Sequence, residues 1–187
     1  MLSTFIDEAQ DFYTPQTMTA NELGDGLARL VWESFSDFFT IEDTEFLLPE
    51  INVFTEDEKC SGRTSEEALI FFMWAYTRGV QMAFLGRVPD ERIRVSLDTL
   101  HQAIFEDMME HGTPGSQLPT FERRVINRYA EYHQAATESD HRLGEVASRR
   151  LIGRETSDSL SVALSKRAIA IVNPVKDFLD GIELIDS

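Results

Sequence analysis

The segment 68–85 constrains the fold more than any other, because almost every residue in it is apolar. A helix that is apolar on all sides lies either at the centre of a helical bundle or in a membrane. The polar stretch Thr77-Arg78-Gly79 interrupts the run before it reaches the ~20 apolar residues that a bilayer requires. An arginine in the middle of a span also costs about 2.5 kcal/mol or more. The segment therefore predicts a buried, central helix over about residues 66–85.

Local signals place further helices along the chain. Thr19 and Glu22 have the spacing of a capping box, in which each side chain bonds the other's backbone amide at a helix start. Pro89 suits the first turn of another helix. The glycine- and proline-rich stretch 112–119 separates two helices. Pro174 should break the last long helix and start a short one that includes Ile182.

Together these signals predict an all-α fold. Helical spacing of apolar residues dominates, and no segment shows sustained strand alternation. The length suits one domain, so we expect a single helical domain over residues 1–187 with about six to eight helices. The least regular part is residues 40–63, which we expect to form a long irregular segment. Because a structureless loop of this length is uncommon in a compact domain, we expect it to contain a helical turn or two or to have a functional role.

Acidic residues dominate the first third of the chain. Residues 1–62 contain 14 acids and 2 bases, a net of −12 out of −16 for the whole chain. Such a negative field repels nucleic-acid phosphates and anionic membranes, which excludes both as expected partners, and it attracts a basic protein. The single Cys60 allows no internal disulfide, and the first residues lack a secretory pattern, so we expect a cytoplasmic location.

The irregular segment mixes these acids with apolar side chains, which is typical of a contact surface with steering charges around a dehydrated centre. No catalytic or nucleotide-binding motif is present in the sequence. We therefore expect a non-catalytic interaction or regulatory protein that contacts a basic protein or a second copy of itself. The predicted contact residues are Phe46, Leu48, Ile51 and Phe54.

A polar stripe on the 66–85 helix offers a different site. Trp74, Arg78 and Gln81 fall close to one line of a helical wheel. A buried arginine requires an acid, carbonyl groups or an anionic ligand, and the tryptophan could stack on a planar ligand. The alternatives are a ligand pocket and an internal salt bridge, and the abundance of acids favours the salt bridge.

A second group of candidate ligand-binding residues lies on the fifth predicted helix. Tyr129, Tyr132 and His133 carry groups that can act as acids or bases. Tyrosines at helical spacing are more often core residues with the hydroxyl at the edge. These residues are therefore either acid–base groups of a binding or catalytic site or side chains of the packed core.

Two carboxylate–histidine pairs at helical spacing suggest an alternative metal site. They are Asp98 with His101 and Glu138 with His141. Two such pairs on facing helices can hold a di-metal centre. Chance pairs are expected in so acidic a chain, so we predict no metal and no cofactor. The alternative function is a small-molecule-binding or metal-dependent enzyme with its site inside the bundle around Arg78 and His101.

Overall fold

Six α-helices account for most of the residues that the computed structural model describes, which are 16–38, 58–153 and 157–186, with side chains from residue 62 onward in the second range. The predicted all-α helical fold is confirmed. The helices are α1 (Ala20–Phe38), α2 (Glu58–Phe84), α3 (Asp90–Glu110), α4 (Leu118–Glu138), α5 (Asp140–Ile152) and α6 (Asp158–Asp180). Two short strands, β1 (Gln16–Thr19) and β2 (Ile182–Ile185), pair in parallel.

The longest helix, α2, packs against all five other helices. Every residue from 67 to 77 is buried, and the last residue of the helix, Phe84, is buried as well. Near that end one side chain of the helix faces outward, since Met82 is 42% exposed, and Leu85 just after the helix is 73% exposed. The helix begins at Glu58, so residues 58–63 of the segment predicted to be irregular are helical. A helical turn or two was expected inside that segment, but residues 58–63 lack apolar periodicity and did not indicate where. In the described ranges, no helix is long and apolar enough to cross a membrane.

Several helix ends follow the local signals. The capping box is confirmed, because the Thr19 amide donates to Glu22 Oε2 over 2.9 Å and the Glu22 amide donates to Thr19 Oγ1 over 3.2 Å. Helix α5 starts where the Ser139 hydroxyl accepts from the Arg142 amide, and it ends at Gly153 with φ of 79°. That left-handed conformation favours glycine.

The predicted break at Pro174 is wrong, since α6 continues through it to Asp180. Proline removes one helical hydrogen bond and crowds the preceding turn. Residues on both sides of the proline pack closely against α2. A Cβ added at Gly79 of α2 would lie 2.7 Å from Val175 Cγ1 and 3.2 Å from the Val172 carbonyl oxygen, so α6 touches α2 directly there.

The two strands were not predicted, and Ile182 was expected in a last short helix. It pairs instead with Gln16, and burial alternates along β2 between buried and exposed residues. Arg92 of α3 fixes this strand by donating to the Leu184 carbonyl oxygen over 2.9 Å and to both carboxylate oxygens of Asp186. A four-residue alternation is too short to be distinguished from a helix end in the sequence.

Candidate functional site

An open groove runs between α2, α3 and α4. Its first part, of about 840 Å³, is lined by residues of α2 and α3 together with Tyr129 and His133 of α4. Its second part, of about 420 Å³, continues between α3 and α4 as far as Met109. Both parts share Asp98, His101 and Tyr129, so they form one continuous depression, which we call the α2–α3–α4 groove.

A chain of hydrogen bonds crosses the groove where its two parts meet. Tyr129 Oη lies 2.9 Å from His101 Nε2 and 3.3 Å from Thr77 Oγ1, so it ties α4 to both α3 and α2. Burial lowers the pKa of His101, against the opposing effect of its bond with the Leu97 backbone. Burial raises the pKa of Tyr129 above its usual value. Both groups are therefore neutral near pH 7.

The predicted ligand-binding residues divide between the groove and the core. Trp74 is only 4% exposed and packs edge-on against Tyr132, with 5.7 Å between the ring centroids. Tyr132 is 1% exposed, and burial raises the pKa of its hydroxyl. Neither ring reaches the groove. The predicted residues that do line it are Arg78, Gln81, Tyr129 and His133.

The salt bridge favoured for Arg78 is not formed with any residue in the described ranges. Its half-buried side chain lines the groove and has no hydrogen bond or ion pair there. The buried acid of the same helix, Glu67, pairs with a different base. Arg128 of α4 donates to its two oxygens over 2.8 Å and 2.9 Å. Sequence reasoning identified the need for a buried ion pair on α2 but assigned it to the wrong arginine.

The groove carries an unusual share of the exposed apolar surface. The described residues include eight large hydrophobic side chains that are substantially exposed, and half of them line this one groove. Those four are Met82, Leu85, Met109 and Ile126. Concentration of exposed apolar groups in one depression marks an interaction site more than single scattered ones do.

Acidic side chains accompany the apolar ones in the second part of the groove. Asp98, Glu106 and Glu122 line it, and no lysine or arginine does. Asp98 lies 3.5 Å from Arg94, whereas Glu106 and Glu122 have no ion pair with any described residue. This part of the groove therefore combines an apolar surface with a negative potential.

Sequence reasoning missed the apolar lining of the groove because it assigned such residues to the core. The available signal was position on the helix. Ile126 directly follows the buried Val125, and Met109 directly follows the buried Met108, so both lie off the buried stripe of their helices. An apolar residue beside a complete stripe is a sign of an additional contact surface.

The alternative metal site is not assembled. His101 is engaged with Tyr129, whereas the exposed His141 lies 3.5 Å from Glu145 and 3.8 Å from Asp158. Within the described part of the chain, no three histidine, cysteine or acidic residues are grouped as metal ligands. The pairs Asp98–His101 and Glu138–His141 therefore do not meet to form one centre.

The predicted partner-contact residues lie outside the described residues. These are Phe46, Leu48, Ile51 and Phe54, and the side chain of Cys60 lies outside them as well. The acidic contact surface over the first third of the chain stays a prediction.

No protein-family model matches this sequence, and comparisons with curated proteins and with solved structures find no significant match.

Proposed function

We propose that this chain is a non-catalytic interaction protein that binds a basic amphipathic helix of a partner protein in the α2–α3–α4 groove. The observation that carries this proposal is the joint presence of exposed apolar side chains and unpaired carboxylates along one groove. An amphipathic helix binds such a surface by placing its apolar face in the groove.

The length of the groove suits a helix. Its lining on α3 extends from Asp90 to Met109, which corresponds to about 28 Å at ~1.5 Å per residue. A helix of about 19 residues has the same length. The exposed Met82 and Leu85 lie in the first part and Met109 and Ile126 in the second, so apolar contacts are available along the whole of it.

The charge of the groove selects a basic occupant. Glu106 and Glu122 are exposed and line the second part of the groove. Neither forms an ion pair with a base among the described residues. Lysine and arginine on the edges of a bound helix would pair with them, and the net charge of −16 would accelerate the encounter.

The polar groups of the groove favour binding over catalysis. His101 and Tyr129 bond each other, and burial moves the pKa of each away from neutrality in the direction that keeps it uncharged. A general acid or base works best with a pKa near the working pH. His101 and Tyr129 instead suit a structural role, in which their hydrogen bonds connect α2, α3 and α4.

The apolar contribution is tested at Ile126, which is 63% exposed. The probe is a designed helix of about 18 residues that carries a leucine stripe and flanking lysines, labelled for fluorescence anisotropy. We expect Ile126→Gln to weaken its binding about tenfold or more, because a buried apolar contact is lost. Ile169→Gln, at a 38% exposed isoleucine of α6 outside the groove, is the matched control and should leave affinity unchanged. Equal effects of the two substitutions would contradict the proposal.

The charge contribution is tested by the double variant Glu106→Gln, Glu122→Gln. We expect weaker binding of the same probe and a smaller loss of affinity when salt is raised. The control Glu33→Gln, Glu183→Gln removes the same charge from exposed positions outside the groove. If both double variants bind alike, attraction to the net charge alone explains binding and the groove is not the site.

A further inference from the structure

Arg78 stands apart from the other groove residues. It projects from α2 into the first part of the groove, and it is half-buried. Its guanidinium offers five donors, and none of them reaches an acceptor on a described residue. In a chain with 33 acids and 17 bases, internal partners are plentiful, and seven described arginines each lie within 4 Å of a carboxylate.

The other charged groups of the first part already have stabilising surroundings. Arg94 lies 2.5 Å from Glu91 and 3.5 Å from Asp98. Asp90 is in the first turn of α3, where the helix dipole favours a negative charge. Of the two arginines in this groove, Arg78 therefore retains its full capacity for a carboxylate from outside.

We propose that Arg78 binds a carboxylate side chain of the helix that occupies the groove, with Gln81 beside it as a second donor. This inference rests on the proposed function, because it assigns one residue type of the occupant. Arginine and carboxylate form two parallel, charge-assisted hydrogen bonds, and these are stronger in a partly desolvated groove than at an open surface.

The carboxylate site also fixes the direction of the bound helix. Arg78 is in the first part of the groove, and the unpaired Glu106 and Glu122 are in the second. Helix α3 runs from the first part to the second. A helix with an acid near its N-terminus and bases near its C-terminus, the arrangement that its own dipole favours, would run parallel to α3.

The test uses two designed helices of about 18 residues with the same leucine stripe and the same composition. One carries glutamate near the N-terminus and lysines near the C-terminus, and the other has these charges exchanged. We expect the wild type to bind the first about tenfold more tightly. Arg78→Met, which keeps the apolar stem, should remove that preference. Arg123→Met, at an exposed arginine of α4 that does not line the groove, should preserve it.

The outcomes separate the two proposals. If Ile126→Gln weakens the binding of both peptides while Arg78→Met leaves the ratio of their affinities unchanged, the carboxylate site is wrong and the groove remains the proposed binding site. If Ile126→Gln affects neither peptide, the groove is not the binding site and the role of Arg78 falls with it. Circular dichroism and the urea midpoint of each variant establish that it is folded.

Discussion

Glu67 is the only charged residue among the buried ones that the structure describes. Its partner Arg128 also lies 3.3 Å from Glu131, and Glu131 accepts two hydrogen bonds of 2.8 Å from Arg150. Alternating charges therefore connect α2, α4 and α5. The side-chain hydrogen bonds to Glu67 are the largest cause of the raised pKa of Arg128.

Removing Arg128 should be costly, because Glu67 would remain buried without its partner, whereas removing Glu67 leaves Arg128 with Glu131. We expect Arg128→Met to lower the free energy of unfolding by about 3–5 kcal/mol and Glu67→Gln to lower it by less, both measured by urea denaturation. The double variant Glu67→Met, Arg128→Met should lose less than the sum of the two, since no buried charge is stranded.

The neighbouring pair Glu66–Arg124 is the matched control, because it joins the same two helices and is more exposed. Its side chains are 37% and 30% exposed. Glu66→Gln should cost no more than about 1 kcal/mol. If the substitutions at 66 and 67 cost the same, burial does not determine the strength of these pairs.

His101 should make stability depend on pH. Its pKa in the folded chain is below the ordinary 6.5, because burial disfavours the charged ring. Below about pH 6.5 the unfolded chain takes up a proton that the folded chain resists, so stability present above that pH is lost as the pH falls toward the folded pKa.

The measurement compares urea midpoints of the wild type and His101→Gln between about pH 7.5 and 5.5. We expect the wild type to lose more stability over this range than the variant. His133→Gln, at an exposed histidine of the same groove, controls for removal of a histidine. Parallel curves for the wild type and His101→Gln would show that protonation of this ring is not coupled to folding.

For single residues, the sequence predicts that a buried charge needs an ion-pair partner, but it does not predict which residue that partner is. The polar stripe indicated that α2 carries charges that must be paired, and Arg78 was the residue expected to form the internal salt bridge. Which acid meets which base depends on the rotation of α4 against α2, which brings Arg128 to Glu67 and leaves Arg78 facing the groove. Local spacing holds no information about that rotation.

Contacts between elements are closest at two glycines. A Cβ added at Gly24 of α1 would lie 2.5 Å from Thr99 Cβ and 2.6 Å from the Ser96 carbonyl oxygen of α3. At Gly144 of α5 it would lie 2.0 Å from the Ser161 carbonyl oxygen of α6. These helix pairs approach closely because the side chain is absent at the crossing.

Gly24→Ala should therefore destabilise the fold by about 1–3 kcal/mol, because the two helices must separate. Gly26→Ala is the control on the same helix, since a Cβ there meets nothing within 4 Å. It should stabilise by about 0.5–1 kcal/mol through the better helix propensity of alanine. The two urea midpoints should move in opposite directions, and movement in the same direction would refute the close approach.

Helix starts marked by local chemistry were predictable at this scale, whereas elements maintained by distant contacts were not. Thr19 and Glu22 signal a helix start within four residues of each other. The continuation of α6 through Pro174 depends on its packing against Gly79, and β2 depends on Gln16 and Arg92. The groove was only partly predictable for the same reason: Arg78 was identified, but the apolar walls of the groove are contributed by three different helices.

For the whole molecule, net charge should determine the response to salt. A charge of −16 produces repulsion that salt screens, with a Debye length that falls from about 20 Å to about 7 Å between roughly 20 and 200 mM sodium chloride. We expect the free energy of unfolding to rise over that range. A decrease, measured by urea titration at each salt concentration, would mean that screening of the ion pairs outweighs relief of the repulsion.

The parallel pairing of β1 with β2 affects how the chain can fold, because Gln16 and Ile182 are separated by nearly the whole length of the sequence. Closing so large a loop costs entropy that grows with its length, and few contacts compensate until the helices between have packed. During synthesis, the partner strand of β1 is made only after all six helices of the described fold. The strand pair should therefore form last in folding, and amide hydrogens in its ladder should exchange sooner than those of the buried middle of α2.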